Sequence, residues 1–200
     1  GKLRRPKARG GEGRADETLA APASMGLTQP YGIFIAGVGG TGVVTIGQLI
    51  GMAAHLEGKG CSVLDMAGLA QKGGAVHSHV VLARNPEALM NTRVAMGEAD
   101  LALIGDLVVG AGTESLARMR AGRTHALLNA DVAPSAEFIQ NPGWRLPGST
   151  LYGDVAAACG PDRVDVVDAT DLAVRLLGDG IYANPLMLGF TFQKGWLPLG

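Results

Sequence analysis

A glycine-rich segment near residue 40 has the residue types and the spacing that suit the binding of a phosphate group. It consists of Gly37, Val38, Gly39, Gly40, Thr41 and Gly42. Glycine leaves backbone N–H groups uncovered, and at a helix start these groups and the helix dipole attract an anion. We expect Gly37 to form a tight turn, Gly39 to let a pyrophosphate approach and Gly42 to bring helix and strand close together. The Thr41 hydroxyl would add a donor, and the plain alternative is a tight turn without a ligand.

The surroundings of this segment match those of a dinucleotide-binding motif. An apolar strand is predicted before it and a helix after it, and Asp65 ends the next predicted strand about 20 residues further on. The related motif of ATP-binding proteins needs Lys and then Ser or Thr after its last glycine, where this chain has Val43 and Val44. The sequence therefore predicts a site for a dinucleotide-like anion and excludes an ATP site of that type.

A second glycine-rich loop, residues 67–74, carries one cation, Lys72. If the second strand lies beside the first, this loop opens onto the same edge of the sheet as the glycine segment. Lys72 would then meet a phosphate bound there. A loop lysine is otherwise simply solvated, and both interpretations stay open.

The histidines, the cysteines and a Gly-Asp-Gly triplet do not have the spacing of a catalytic or metal-binding site. His77 and His79 share one face of a predicted strand, which indicates half a metal site or, as we favour, ordinary histidines of a polar face or an interface. Cys61 and Cys159 form no Cys-x-x-Cys pair, so they cannot alone hold zinc or an iron–sulfur cluster, and they favour a reducing, cytoplasmic setting. Residues 178–180, Gly-Asp-Gly, are typical of a helix end followed by a turn. No catalytic or metal-binding residue is predicted.

Apolar segments separated by turns predict strands that alternate with helices. The strands are expected at 33–36, 61–65, 75–83, 101–104, 124–128 and 164–167. The helices are expected at 43–56, 114–121, 150–159, 171–177 and 185–194. This alternation predicts an α/β fold in three layers (α/β/α) with a mostly parallel, doubly wound, Rossmann-like sheet. In such a sheet the strand-to-helix turns meet at one edge, which is where the glycine segment would lie.

Composition narrows the class of protein. The chain has 31 glycines among 200 residues, 47% hydrophobic residues and a net charge of −1, which argues against a fibre and against a nucleic-acid partner. No apolar stretch is long enough to span a membrane. Residues 1–29 are basic and poor in apolar side chains, and we expect a disordered tail or interdomain linker there, followed by one domain at 30–200.

The last predicted helix has Asn184 as its expected N-cap and Pro185 in its first turn. Its apolar residues cover most of its surface and lie at positions 186, 187, 188, 190 and 192. We expect a core helix whose outer face contacts a partner domain or a second copy of the chain.

Three separate segments resemble one family. Residues 37–45, residues 68–79 and residues 184–195 are similar to the gamma domain of 2-oxoacid:ferredoxin oxidoreductases. Residues 51–58 and 64–72 most resemble the indolepyruvate type, in which this domain can be fused to others. The resemblance runs from about Tyr31 to the C-terminus.

The resemblance implies a three-layer α/β domain within a larger enzyme that oxidatively decarboxylates aryl pyruvates to acyl-CoA and passes electrons to ferredoxin. In such enzymes thiamine diphosphate, Mg²⁺ and iron–sulfur clusters belong to other domains or subunits, and the gamma domain helps to form the coenzyme A pocket. By this resemblance, the residues that would hold the phosphates of coenzyme A are Gly37–Gly42, with Thr41, and Lys72. Isolated, the fragment would be inactive.

Two alternatives remain at this stage. An autonomous NAD(P)-binding oxidoreductase would use Asp65 to bind a ribose. A scaffold without catalytic function would leave the glycine turn empty and serve only to pack partner domains.

Overall fold

A computed structural model describes residues 20–23, 25–68, 74–130 and 148–200. Its sheet has six strands in the spatial order β2-β3-β1-β4-β5-β6. In chain order the strands are β1 Tyr31–Val38, β2 Gly60–Ala67, β3 Ala75–Ala83, β4 Leu101–Ile104, β5 His125–Asn129 and β6 Val164–Val167. The predicted α/β class is confirmed, and the predicted strands 75–83, 101–104 and 164–167 have the bounds expected from the sequence.

Six α-helices accompany the sheet in the described residues. They are α1 Val43–Leu56, α2 Leu107–Gly110, α3 Thr113–Leu116, α4 Gly148–Cys159, α5 Ala169–Leu177 and α6 Ala183–Gln193. The helix predicted at 114–121 is wrong in length, because only one turn forms there. The carbonyl oxygens of Ala117 and Arg118 accept the N–H groups of Gly97 and Ala99, so they are not available to continue a helix.

Strand β3 runs against the direction of its neighbours. It pairs antiparallel with both β1 and β2, whereas β1, β4, β5 and β6 pair parallel. The expectation that β2 lies beside β1 is therefore wrong. Its physical reason is loop length, because the few residues between β2 and β3 can join antiparallel strands but are too few for a parallel crossover. Five strands still share one direction, so the sheet is mostly parallel.

Apolar side chains fill both faces of the sheet. One cluster includes Ile33, Ile46 and Met187 and lies under α1, α5 and α6, and a second includes Phe34, Leu128 and Val155 on the opposite face. This arrangement gives the three layers predicted from the sequence. Within the described part of the chain, no helix is long and apolar enough to cross a membrane.

Helix α6 belongs to the core, as predicted. Met187 and Thr191 are fully buried, and Leu188 and Phe190 are half-buried against the first cluster. The residues that precede the domain are partly described, and Gln193 Nε2 donates to Ala20 O over 2.8 Å. A partner on the outer face of α6, and the tail or linker at 1–29, remain predictions.

Candidate functional site

The glycine turn, residues 37–42, lies at the carboxyl edge of the sheet between β1 and α1. Gly40 and Gly42 have φ values of +89° and +90°, the left-handed region that other residues rarely adopt, and they make the reversal. Gly37 instead lies within β1, where a Cβ atom would be 2.8 Å from Val43 Cγ2. A Cβ atom at Gly42 would meet nothing within 4 Å. The roles expected for Gly37 and Gly42 are therefore exchanged: Gly37 allows the close approach of strand and helix, and Gly42 forms the turn.

Hydrogen bonds within the protein already use some donors of this turn. Gly39 N–H donates to Gly74 O over 3.0 Å, and Thr41 N–H donates to Val38 O over 3.3 Å. The Thr41 hydroxyl also donates to Val38 O, at 2.7 Å, so its proton is not available to a ligand in this structure. The expectation that the Thr41 hydroxyl adds a donor is therefore not met, and the Gly39 N–H is used within the protein as well.

A set of neighbouring N–H groups remains available for an anion. No acceptor among the described residues meets the backbone N–H groups of Gly40, Gly42, Val43, Val44 and Thr45. Three of these groups belong to the first turn of α1, a 14-residue helix whose N-terminus has no side-chain cap. The positive end of the helix dipole and the uncapped donors thus act at the same place, which favours a negatively charged group.

Asn184, in the first turn of α6, contacts the glycine turn through its side chain. The predicted N-cap role is wrong, because α6 begins at Ala183 and Tyr182 occupies the cap position. The Asn184 side chain is instead 7% exposed, and its Nδ2 donates to Thr41 O over 2.6 Å. Its Oδ1 lies against Gly105, where a Cβ atom would be 2.8 Å away. No local pattern indicates this contact, since the two partners are 143 positions apart.

Two cavities flank the glycine turn. The apolar groove, about 530 Å³, lies between the start of α1 and the residues before α6, and its lining includes Val43, Val44, Val76, Ile181, Tyr182 and Pro185. The second cavity, about 400 Å³, lies beyond the ends of β1, β4 and β5 and is called the polar crevice for its polar side chains, although most of its lining surface is apolar; these side chains belong to Thr41, Asp106, Asn129, Thr170 and Asn184. Gly40 lines both cavities, so a ligand bound at the turn can extend into either.

The loop that carries Lys72 starts and ends at the same edge as the glycine turn, although β3 lies between β1 and β2. Ala75 at the start of β3 pairs with Val38 at the end of β1, and Gly74 O accepts the Gly39 N–H. The expected proximity of the two loops therefore holds for a different reason. Lys72 itself lies outside the described residues.

Asp65 is not placed to act as the acidic residue of a dinucleotide motif. It lies on β2, the edge strand, with β3 between it and β1, a separation of roughly 10 Å across two strand spacings. It lines neither cavity. The carboxylate near the turn belongs to Asp106, which follows β4 and is 8% exposed. Sequence reasoning missed Asp106, because no motif marks it.

The ordinary polar face expected at His77 and His79 is wrong for His79, which is a core residue, whereas His77 is half-buried beside it. His79 is fully buried against Phe34, with ring centroids 5.1 Å apart, and neither ring nitrogen has a partner among the described residues. Burial, with a smaller effect from nearby Arg118 and Arg93, lowers the pKa of His79 to about 4. His77 stacks on the same Phe34 ring, and its pKa is lowered mainly by burial. The described residues contain no cluster of three or more potential metal ligands.

The Gly-Asp-Gly prediction agrees with the structure, which also describes the two cysteines. Cys61 and Cys159 form no disulfide, and burial raises the pKa of the Cys159 thiol to about 11. Gly178 ends α5 with a φ of +84°, and the Asp179 side chain accepts the Ile181 N–H. These residues are therefore a helix end and a turn.

The geometry defines an α/β domain in which a glycine turn with uncovered N–H groups lies between two cavities. The described residues that line these cavities include no Cys, His, Lys or Arg. A ligand-binding component of a larger protein is the class that fits such a site.

Comparison with known sequences identifies the family. The family model described as pyruvate ferredoxin/flavodoxin oxidoreductase matches residues 32–199, and the chain belongs to this family. It is similar to indolepyruvate oxidoreductase subunit IorB of Methanothermobacter thermautotrophicus, with 25% identity over 169 residues, 84% of this chain and 81% of the relative. The chain is accordingly a gamma-type component of a larger 2-oxoacid oxidoreductase.

Solved structures of low sequence identity share the fold. Pyruvate oxidoreductase subunit PORC of Thermotoga maritima has a TM-score of 0.56 and 20% identity, and the match covers 85% of this chain and 79% of that one. The gamma subunit of a keto/oxoacid ferredoxin oxidoreductase of Geobacter sulfurreducens has a TM-score of 0.53 and 18% identity, with 84% and 78% covered. The 2-oxoglutarate:ferredoxin oxidoreductase of Magnetococcus marinus, solved with 2-oxoglutarate, coenzyme A and succinyl-CoA, has a TM-score of 0.57 and 14% identity. That match covers 82% of this chain and 24% of the longer one.

Proposed function

We propose that this chain contributes to the coenzyme A pocket of an indolepyruvate-type 2-oxoacid:ferredoxin oxidoreductase. The observation that carries the proposal is the set of backbone N–H groups at Gly40, Gly42 and the first turn of α1 that have no acceptor among the described residues. Coenzyme A carries a pyrophosphate and a further phosphate, and such groups bind where backbone donors and a helix dipole converge. The apolar groove of about 530 Å³ beside them has the size of a small-molecule site.

The supporting comparisons concern relatives of this chain. The relative from M. thermautotrophicus is named for indolepyruvate, and the M. marinus enzyme contains coenzyme A. These names suggest an aryl 2-oxoacid as the substrate and coenzyme A as the acyl acceptor. The displaced position of Asp65 speaks against an autonomous NAD(P)-binding enzyme.

The remaining cofactors belong, in this proposal, to other parts of the enzyme. Thiamine diphosphate, Mg²⁺ and iron–sulfur clusters are carried by partner domains or subunits, and ferredoxin accepts the electrons. The two free cysteines fit a reducing cytoplasm. The complete enzyme is expected to turn over indolepyruvate, and this chain alone is expected to show no turnover. Activity of the purified 200-residue chain without added subunits would contradict this division of roles.

Lys72 completes the proposed phosphate site. The described residues around the turn supply neutral N–H donors and no side-chain cation, whereas a bound pyrophosphate carries more than one negative charge. The loop that contains Lys72 reaches the turn through Gly74. We therefore assign the lysine, with Gly37–Gly42, to coenzyme A binding.

A pair of glycine substitutions tests the proposal in the complete enzyme. Gly42 and Gly58 both have positive φ, +90° and +70°, and a Cβ atom at either position meets nothing within 4 Å. Alanine at either position therefore costs about 1–2 kcal/mol of backbone strain, at opposite ends of α1. Only Gly42 lies at the proposed site.

The expected result is a separation of stability from binding. Both variants should lose similar stability in chemical denaturation, but Gly42→Ala should raise the KM for coenzyme A about tenfold or more and Gly58→Ala should leave it unchanged. Thiamine diphosphate binding should be the same in both. Equal KM values in the two variants would contradict the proposal, and so would tighter binding of NADH than of coenzyme A to the wild-type protein.

A further inference from the structure

Asp106 is a nearly buried carboxylate without a charged partner in the described part of the chain. It is 8% exposed, and it lines the polar crevice of about 400 Å³. Its Oδ1 accepts the Val109 N–H over 2.9 Å, which caps α2. No described Lys, Arg or His forms an ion pair with it, and no described donor meets Oδ2. Asp106 therefore offers the crevice an acceptor oxygen that no donor among the described residues occupies.

The crevice also contains groups of complementary polarity. Thr170 Oγ1 accepts the Asn129 Nδ2–H over 2.9 Å, which leaves the Thr170 hydroxyl proton for another acceptor. Gly40, whose N–H has no acceptor among the described residues, lines the same cavity. An acceptor at Asp106 and donors at Thr170 and Gly40 suit a ligand whose own hydroxyl groups both donate and accept.

We propose that the polar crevice binds the ribose of a nucleotide, with Asp106 accepting a hydrogen bond from the 2′-hydroxyl. The inference rests on the proposed function, because it assigns a position to one half of the ligand whose phosphates lie on the glycine turn. Gly40 lines both the crevice and the groove, so a sugar in the crevice is one ester linkage from the phosphate site.

The polar side chains at the two cavities differ, although most of the lining surface of each cavity is apolar. On one side of its pyrophosphate, coenzyme A has a ribose with a free 2′-hydroxyl, and on the other it has a pantoyl group with two methyl groups. Side chains of Val43, Val44 and Val76 line the apolar groove, whereas Asp106 and Thr170 line the crevice. Burial of the methyl groups in the groove and of the sugar in the crevice satisfies both ends, and the reverse orientation leaves Asp106 facing methyl groups. The inference therefore fixes the orientation of the ligand.

Asp106→Asn tests the proposal with little effect on folding. Asn and Asp cap helices almost equally well, so the bond to the Val109 N–H is kept while the charged acceptor is removed. Asp168→Asn is the matched control, since Asp168 caps α5 in the same way, through the Asp171 N–H, and lines neither cavity. The probes are ADP and 2′-deoxy-ADP, titrated into the 200-residue chain and followed through the backbone amide signals of Gly40 and Gly105.

The proposal expects the wild-type chain and Asp168→Asn to bind ADP about tenfold more tightly than 2′-deoxy-ADP, because a hydrogen bond to a charged group is lost with the hydroxyl. In Asp106→Asn this preference should fall below about threefold. An unchanged preference in Asp106→Asn, equal affinities in the wild type, or no shift of the two amide signals would overturn the inference.

Failure of this inference can be told apart from failure of the proposed function. If Gly42→Ala raises the KM for coenzyme A in the complete enzyme while Asp106→Asn leaves nucleotide preference unchanged, the coenzyme A site stands and the ribose assignment is wrong. If ADP binding depends on Asp106 but coenzyme A kinetics do not depend on Gly42, the crevice binds nucleotides and the proposed function is wrong.

Discussion

Substitution of Asn184 should weaken the glycine turn more than it weakens the fold. Asn184→Ala removes the 2.6 Å hydrogen bond to Thr41 O, a contact between α6 and the loop before α1. One such bond contributes about 1 kcal/mol, and truncation of a side chain that is 7% exposed adds a comparable packing loss. Thr41 is itself exposed, so water can replace the donor at its carbonyl. We therefore expect a loss of roughly 2 kcal/mol in the free energy of unfolding.

The effect on ligand binding follows from the position of the bond. If the contact holds the turn in its binding conformation by about 1.4 kcal/mol, its loss raises the KM for coenzyme A about tenfold. Asn184→Asp should be worse than Asn184→Ala, because a carboxylate cannot donate to Thr41 O and adds a negative charge beside the phosphate site. Steady-state kinetics of the complete enzyme measure this order, and kcat should change less than KM.

The matched control is Thr191→Val on the same helix. Thr191 is fully buried, and its hydroxyl donates to Leu188 O over 2.8 Å, so the variant also loses one hydrogen bond of α6 but far from the turn. It should lower stability without changing the KM for coenzyme A. If Asn184→Ala and Thr191→Val lose similar stability and both keep the wild-type KM, Asn184 only supports the helix and the reasoning is refuted.

Two further predictions concern pH and the loop cation. The pKa of His79 is about 4 in the folded protein and about 6.5 in an unfolded chain, so the unfolded state binds the proton first as the pH falls. The free energy of unfolding should therefore decrease between pH 6.5 and pH 4, by up to roughly 3 kcal/mol. Chemical denaturation at several pH values should show that this free energy depends less steeply on pH in His79→Leu than in the wild type. An equally steep dependence in both proteins would show that His79 is not the group responsible. Lys72→Ala should raise the KM for coenzyme A in the complete enzyme and leave thiamine diphosphate binding unchanged, whereas an unaltered KM would remove Lys72 from the site.

Local patterns predicted the elements on which the site is built. The 14-residue helix α1 begins at Val43 and ends at Leu56, as expected from the apolar residues between glycines at both ends. The buried strand before it and the glycine turn also lie where the spacing placed them. Such features depend on neighbours in sequence, namely on hydrophobic period and on positions that only glycine tolerates.

Long-range contacts account for what the sequence did not predict. No motif marks Asp106, and the sequence indicated only a helix cap at Asn184; both residues reach the site because β4 ends and α6 begins beside the glycine turn. The reversed strand β3 was predictable in principle, since the short loop before it rules out a parallel crossover. Its insertion moves Asp65 to the edge of the sheet, which no spacing argument reveals.

The exchange of roles between Gly37 and Gly42 has a physical basis that extends to ligand binding. A glycine pattern specifies where backbone segments come close and where the chain reverses. Which backbone N–H groups stay free, however, depends on acceptors that lie in distant parts of the sequence. Here Gly74 O, at the start of β3, takes the Gly39 N–H and ties the turn to the loop that carries Lys72. The free donors therefore begin at Gly40 and, apart from the Thr41 N–H, continue into the first turn of α1. A ligand bound there contacts groups from three separate parts of the chain, so its affinity should depend on long-range contacts such as that of Asn184 as well as on the glycines themselves.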